Sequence, residues 1–379
     1  MTHWIFFEPL DVLLLRGNQL FGDAGSYGQS LMPPWPSVAA GAIRSRILMD
    51  EGIPLKAFAE GNHPHPALGT PQQPGAFTLC ALHLARRTGD SVEPLLPAPA
   101  DLFIPQEGAP QLLRPAPLPA GIQSANPLPQ LPMLAAANRA KPAAGSHWLT
   151  PAGWQKYLCG QAPARDELLS GSELWRTDER TGVGLDDATR SAKDGRLFTN
   201  SAIVMHQGVG FAAAVTGCQP PADGLLRFGG DGRAVAVHSL PVTMPQPDWD
   251  AIAAQKRCRL ILASPGVFAD GWLPNGLTQD ANGAWRFVLH GVRARLVAAA
   301  VPRHETISGW DLARHQPKAA QRTAPTGSVY WLDELDATAD ALRQLADAGL
   351  WGTPCEDEAR RAEGFNRLHI AQWGEMQAP

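Results

Sequence analysis

Three groups of residues in this chain carry the charge and shape that recognition of phosphates requires. Residues 225–237 place Arg227 and Arg233 on either side of Phe228-Gly229-Gly230-Asp231-Gly232, a glycine turn between two short apolar runs. Glycines let a backbone approach a ligand closely, and guanidinium forks hold phosphate oxygens in pairs, so Arg227, Gly229, Gly230 and Arg233 are candidate phosphate ligands. A second group joins Gly309 and Trp310 to the basic run Pro317, Lys318 and Arg322, an aromatic for stacking beside cations. A third lies in an arm from about 172 to 215, where Arg180, Arg190 and Lys193, with Arg176 and Arg196, face six acids. The plain alternatives are an ordinary hairpin turn, a solvated charge run and a salt-bridged surface ribbon.

A fourth candidate sits behind the Gly-rich loop Arg16 to Leu31, where Pro33-Pro34-Trp35-Pro36-Ser37 leads into a helix predicted over about 38–50. Val38, Ala42 and Ile43 would share one face of it. Ser37 as N-cap, with Arg44 and Arg46 on the helix, makes a phosphate site from unpaired amides and the helix dipole. Trp331, at the end of the run Gly327-Ser328-Val329-Tyr330-Trp331, is a further stacking candidate, although tryptophan at strand ends is more often core.

Acid, base and metal chemistry have thinner support. Asp23 in the Gly-rich loop could place a carboxylate beside a scissile phosphate, yet a lone aspartate among glycines is usually a turn residue. His206, His304 and His315 titrate near neutrality, but no spacing fixes the geometry of any pair. His63-Pro64-His65 lacks further ligands nearby, and neither a Walker A loop nor a dinucleotide-binding glycine motif is present. No catalytic residue, metal or cofactor is expected.

The elements that must position these groups are read from periodicity. Residues 3–16 predict a first strand. The balanced-charge arm ends in strands near 198–205 and 210–215, and the strand 259–263 opens a second domain near Asp248. Leu335, Ala339, Leu342, Leu345 and Ala346 recur at helical spacing between Asp336 and Gly349, before Gly364-Phe365-Asn366 and a last apolar strand. That order reads as the second half of a ferredoxin-like βαββαβ unit, a sheet type that commonly binds single-stranded RNA. Residues 94–151 hold thirteen prolines and little periodicity, which predicts disorder or long loops.

Composition bounds the rest. At 379 residues and 44% apolar the chain can build two cores, here 1–247 and 248–379. A net charge of −4 argues against a free-standing nucleic-acid binder and for a local positive groove. Residues 293–322 carry six Lys or Arg and two acids, whereas 333–363 carry nine acids and three Arg, so one face would suit phosphates and the other a protein. Five scattered cysteines fit a reducing cytoplasm, and no apolar run is long enough to span a bilayer.

The joint order of Pro9-Leu-Asp-Val-Leu13, Pro36 to Ser45, Arg180-Thr-Gly-Val-Gly-Leu-Asp186, Leu197-Phe198, Phe228 to Arg233, Ser308-Gly-Trp-Asp311, Pro317-Lys318, Gly327-Ser-Val-Tyr330 and Gly364-Phe365 resembles the RAMP-superfamily third subunit of the Cmr complex, a type III-B CRISPR effector. The Pro-rich insert and a diffuse terminal glycine loop (Gly349, Gly352, Gly364) depart from that pattern. The resemblance implies an α+β fold of two ferredoxin-like (RRM-like) domains with large loop insertions. It implies a non-catalytic subunit that holds the 5′ handle of the crRNA and docks the large polymerase-like subunit beside the RAMP backbone subunits. Target RNA would be met only indirectly, and no membrane is involved. The competing reading is a RAMP endoribonuclease acting through Asp23 on crRNA precursor or target RNA.

Overall fold

The structure, a computed structural model, describes residues 1–17, 27–134, 140–311 and 316–374, and of residues 194 and 195 the backbone alone. Strand β1 (His3–Pro9) ends well short of residue 16, because Pro9 has no N–H to extend the ladder and the Asp11 carboxylate takes up the amide of Val12 instead. Strand β2 (Tyr27–Gly28) and helix α1 (Pro36–Asp50) follow. Proline suits the first helical position, which moves the N-cap to Trp35 and puts Ser37 inside the first turn, where it makes no cap. The buried face of α1 is Pro36, Ala39, Ala40, Ile43 and Ile47, so of the expected trio only Ile43 is on it.

Helix α2 (Leu55–Ala59), β3 (Thr78–Thr88) and β4 (Ser91–Pro97) come next. The Pro-rich stretch holds β5 (Leu102–Phe103), β6 (Gln111–Leu112), β7 (Arg114–Pro117), β8 (Gln130–Met133) and β9 (His147–Leu149), then α3 (Pro151–Leu158) and β10 (Leu168–Ser170). The arm is one long antiparallel ribbon of β11 (Trp175–Leu185) and β12 (Ala192–Met205), followed by β13 (Val209–Thr216), β14 (Leu225–Arg227) and β15 (Ala234–His238). Then come α4 (Trp249–Gln255), β16 (Cys258–Leu262), β17 (Leu277–Gln279), β18 (Trp285–Leu289), β19 (Val292–Ala300), β20 (Glu305–Ile307), β21 (Trp310–Asp311), β22 (Gln316–Pro317) and β23 (Gln321–Thr323). The chain closes with β24 (Val329–Asp336), α5 (Ala339–Ala348), α6 (Glu358–Ala362) and β25 (Leu368–Ala371). Thr338 rather than Asp336 caps α5, its side chain accepting the amide of Ala341, and Gly349 ends it at φ +79°.

These elements form two compact units, each discontinuous in sequence: Met1–Val92, Gly171–Val242 and Thr306–Gln321 make the first, and Glu93–Ser170, Thr243–Glu305 and Arg322–Pro379 the second. The partition differs from a single boundary at 247. In the first unit the strands run β14-β15-β1-β13-β3, every neighbour antiparallel, with α1 in the connection from β1 to β3. In the second they run β17-β18-β19-β24-β16-β25, again all antiparallel, with α5 and α6 between β24 and β25. The connection from β16 to β19 is a β17/β18 hairpin where a βαββαβ plan has a helix, and that from β13 to β15 is a glycine turn with β14. The fold is mixed α+β and rich in strands.

Alternation along the strands divides the second unit's sheet into two buried faces. Cys258, Leu260, Leu262, Tyr330 and Leu332 point into a core with Leu342 and Leu345 of α5. Ile261, Val329, Trp331 and Ala371 point the other way, onto Leu96, Leu102, Ile104, Leu112, Leu149 and the α3 residues Trp154 and Tyr157. The insertion expected as disorder or long loops is a layer of short strands joined by loops, with Leu102, Ile104, Leu112 and Leu149 buried and Ile122 and Met133 exposed. Its β5 pairs with β6 and its β7 with β8.

Within this layer Arg259 is buried against Asp101, with 2.5 Å between Nη1 and Oδ2. Tyr157 donates its hydroxyl to Asp101 at 2.7 Å, and the guanidinium donates to the carbonyls of Tyr157 and Gln372. Burial opposes its charge, but the tyrosine and carboxylate hold its pKa above the usual arginine value.

Candidate nucleic-acid interface

The covered second face removes the open platform that RRM-like sheets use. Trp331 is 1% exposed, so it belongs to the core and not to a stacking surface. In the first unit Trp4, Phe6, Ala85 and Ala212 pack with Val92, Leu240 and Val242, while Phe7 and Phe211 meet Phe228 at ring-centroid distances of 5.6 and 5.4 Å. The surface open to a ligand is thereby restricted to turns, ribbons and pockets at the edges of the sheets.

The glycine turn is such an edge. Phe228 anchors it, buried, and its amide donates to the Arg233 carbonyl at 2.8 Å to close the β14/β15 hairpin. Gly230 donates to the Leu14 carbonyl at 2.7 Å. A Cβ on Gly229, which sits at φ +88°, would lie 2.8 Å from the same oxygen, so this glycine is required by the close approach of residue 14. Leu13, one residue earlier, exchanges 2.8 Å hydrogen bonds with Ile203 at the base of the arm. One short segment thus ties the glycine turn and the arm together.

The candidate cations divide by what they already touch. Arg227 is exposed and has no ion-pair or hydrogen-bond partner among the described residues, which suits it to a phosphate. Arg233 instead donates through Nη1 to Asp11, so part of its charge is spent inside the protein. In the arm, Arg180 pairs with Asp178 at 2.9 Å and Lys193 lies 3.6 Å from Asp186. Asp186 organises the tip: amides of Thr189 and Ala188, the Thr189 hydroxyl and Lys193 hold its carboxyl below the usual range. Arg190 stands in that tip at φ +55°, its amide on the Asp186 carbonyl and its side chain exposed.

Arg44 is half-buried, its guanidinium 4.8 Å from the centroid of the Phe77 ring, and Arg46 pairs with Asp50 at 2.6 Å. Ser37 lies inside the first turn and is not the expected N-cap, which is Trp35, and Asp23 lies outside the described residues. Trp310 is 55% exposed in the β21/β22 hairpin, where it faces Pro317, and the Lys318 amide closes onto the Gly309 carbonyl at 2.9 Å. Arg322 belongs to the second unit, Lys318 and Trp310 to the first. It lines a cavity of about 540 Å³ with Trp272, Asn126 and His304. No sequence signal points to Trp272, which lies fifty positions before Arg322 and shares only the cavity wall with it.

The starts of the opposed charge runs answer one another. Arg295 binds Asp333 at 2.7 Å and Glu334 at 3.1 Å, Arg293 lies 3.9 Å from Asp336, and Arg286 joins Asp280 and Glu334. Pairing of β19 with β24 brings the start of the basic run beside the start of the acidic one, so those residues form a ladder and not two separate faces. Among the described residues no cluster of three metal-ligating side chains occurs, and no helix is long and apolar enough to cross a membrane. His65 is a loop residue whose Nδ1 accepts the amides of Ala67 and Leu68, both at 3.0 Å. His315 lies outside the described residues.

A family model places these observations in a class of CRISPR-associated proteins. It matches residues 5–373, and the chain belongs to the CRISPR-associated protein (Cas_Cmr3) family. Among solved structures, a chain of the type III-B Cmr-beta complex bound to cognate target RNA and AMPPnP is similar, with a TM-score of 0.50, 14% identity and 96% and 95% of the two chains covered. A chain of the same complex bound to cognate target RNA has a TM-score of 0.48 at 14% identity, covering 86% of each. No curated protein matches the sequence.

Proposed function

We propose that this chain is a non-catalytic RNA-holding subunit of a type III-B CRISPR effector complex, serving antiviral defence. It grips the 5′ handle of the crRNA and docks the large polymerase-like subunit and the RAMP backbone subunits. The observation that carries this reading is the family match from residue 5 to residue 373. The order β15-β1-β13-β3 in one unit and β25-β16-β24-β19 in the other supports a ferredoxin-like assignment for both, each with one helix replaced. Phosphates are met by Arg227 on its glycine turn and by the exposed arm tip with Arg190, while handle bases stack on Trp310.

Net charge of −4 makes the isolated chain a modest RNA ligand, so the partner subunits complete the groove. A gel-shift comparing native and scrambled handles, with and without the large subunit, tests this. Handle-specific binding that tightens on adding the partner supports it, and equal affinity for both sequences in the complex overturns it. For non-catalysis, Asp23→Ala in the reconstituted complex leaves every cleavage product in place; loss of a specific subset of products restores the endoribonuclease reading.

A further inference from the structure

The cavity in the second unit is the feature that this reading has not used. It lies beyond β19, with Val301 and Pro302 supplying apolar wall, Trp272 on one side and Arg322 of β23 on another. Three contacts preform it. The Tyr330 hydroxyl donates to the Trp272 carbonyl at 2.7 Å, and Trp272 packs against the core of this unit. Ala324, next to the β23 strand, exchanges hydrogen bonds of 2.8 and 3.0 Å with Gly266. Asn126 accepts the Leu128 amide through Oδ1 at 2.9 Å, which leaves its amide hydrogens available to a ligand.

The Thr323 hydroxyl is turned to the Glu305 carbonyl at 3.3 Å, and Asn126, His304 and Arg322 offer N–H groups. Arg322 and His304 are exposed at the rim and have no partner among the described residues. A volume of about 540 Å³ admits one aromatic ring system with a sugar and phosphate, not a folded polymer segment. An indole and a proline give faces for a flat heterocycle, an amide can bind its edge, and the Arg322 guanidinium with the His304 imidazole at the rim matches one phosphate.

We propose that this cavity is a binding site for a single nucleoside 5′-phosphate unit, with the base against Trp272 and the phosphate on Arg322 and His304. It rests on the RNA-holding reading when the unit is one splayed nucleotide of a strand, and stands apart from it when the unit is a free nucleotide. The probes are a short oligoribonucleotide carrying one 4-thiouridine, and uridine 5′-monophosphate. After irradiation of the assembled complex, cross-links are mapped by mass spectrometry, and affinities are measured for the full chain, for Arg322→Glu and for Arg227→Glu.

A cross-link to the peptide holding Trp272, with Arg322→Glu weakening the probe about tenfold, is the expected result. Arg227→Glu leaves that cross-link in place while lowering overall RNA affinity. Competition by the monophosphate as strong as that by the oligoribonucleotide supports the site and assigns it to free nucleotides; weaker competition supports it as a strand site. No cross-link near Trp272, or unchanged affinity in Arg322→Glu, overturns the proposal. Handle binding that remains sensitive to Arg227→Glu in that event leaves the RNA-holding reading intact. Because Arg322 is exposed, its variant keeps the fold; Asn126→Asp, which replaces the amide donor at the base edge with a carboxylate, is the second test and also weakens both probes.

Discussion

The two units share a strand order yet close their sheets by different means. The first keeps its helix after the first strand, and residues 240 and 242 of its own chain help to cover its second face. The second keeps its helix after the third strand and covers its other face with an insertion of 78 residues, Glu93–Ser170, held by a buried ion pair. The difference teaches that covering both faces of a sheet leaves its edges as the surface open to a ligand. The two units offer different edges: a glycine turn and arm in the first, a cavity in the second.

The sharpest way to break the comparison is to remove Asp101. Arg259 would then be an uncompensated buried charge, and Asp101→Ala is expected to destabilise the second unit by about 3–5 kcal/mol. Hydrogen exchange checks this: protection is lost in β16, β24 and α3 and kept in β1 and β13. Equal loss in both units would mean that they fold as one cooperative body.

A smaller effect separates the units by pH. Burial pushes the His83 imidazole down to about 4, so the folded first unit keeps it neutral while the unfolded chain takes up a proton near 6.5. Stability from this group is full above pH 6.5 and is lost as pH falls toward 4, by up to about 3 kcal/mol. Denaturation at pH 7 and pH 5 checks it, and His83→Leu flattens that dependence.

RNA binding gives the next test. Arg227→Ala lowers the slope of log affinity on log salt by roughly 0.7, the value for one contact to a single strand. Arg233→Ala, whose charge faces Asp11, changes the slope by less. A larger change for Arg233 would place the phosphate on the inner arginine. The smallest effect belongs to the arm, where Arg180→Ala breaks an exposed pair with Asp178 and costs below about 1 kcal/mol.

Local chemistry made several parts legible from residues alone. The glycine turn of 228–233, the arm ribbon, helix α5 and the last strand all follow from glycine placement and from spacing of two or of three to four residues. Their ends shifted where a neighbour competed: Pro9 stopped β1, and Pro36 claimed the helix start from Ser37. The misreading of 94–151 has the same origin, since proline density reports a poor ladder former but not whether the intervening leucines find a sheet to cover.

Sequence by itself determined the order of motifs, and with it the family, because such motifs depend on backbone needs that stay local. Only the tertiary structure decided which cations are available and which surfaces exist. Arg227 and Arg233 are alike in sequence, but a carboxylate 222 positions away sets them apart. The basic run at Arg293 and the acidic run at Asp333 meet through strand pairing, and Trp272 finds Arg322 across a cavity. Charge and shape act over a few ångströms of space, and the chain brings distant positions within that range only when it folds.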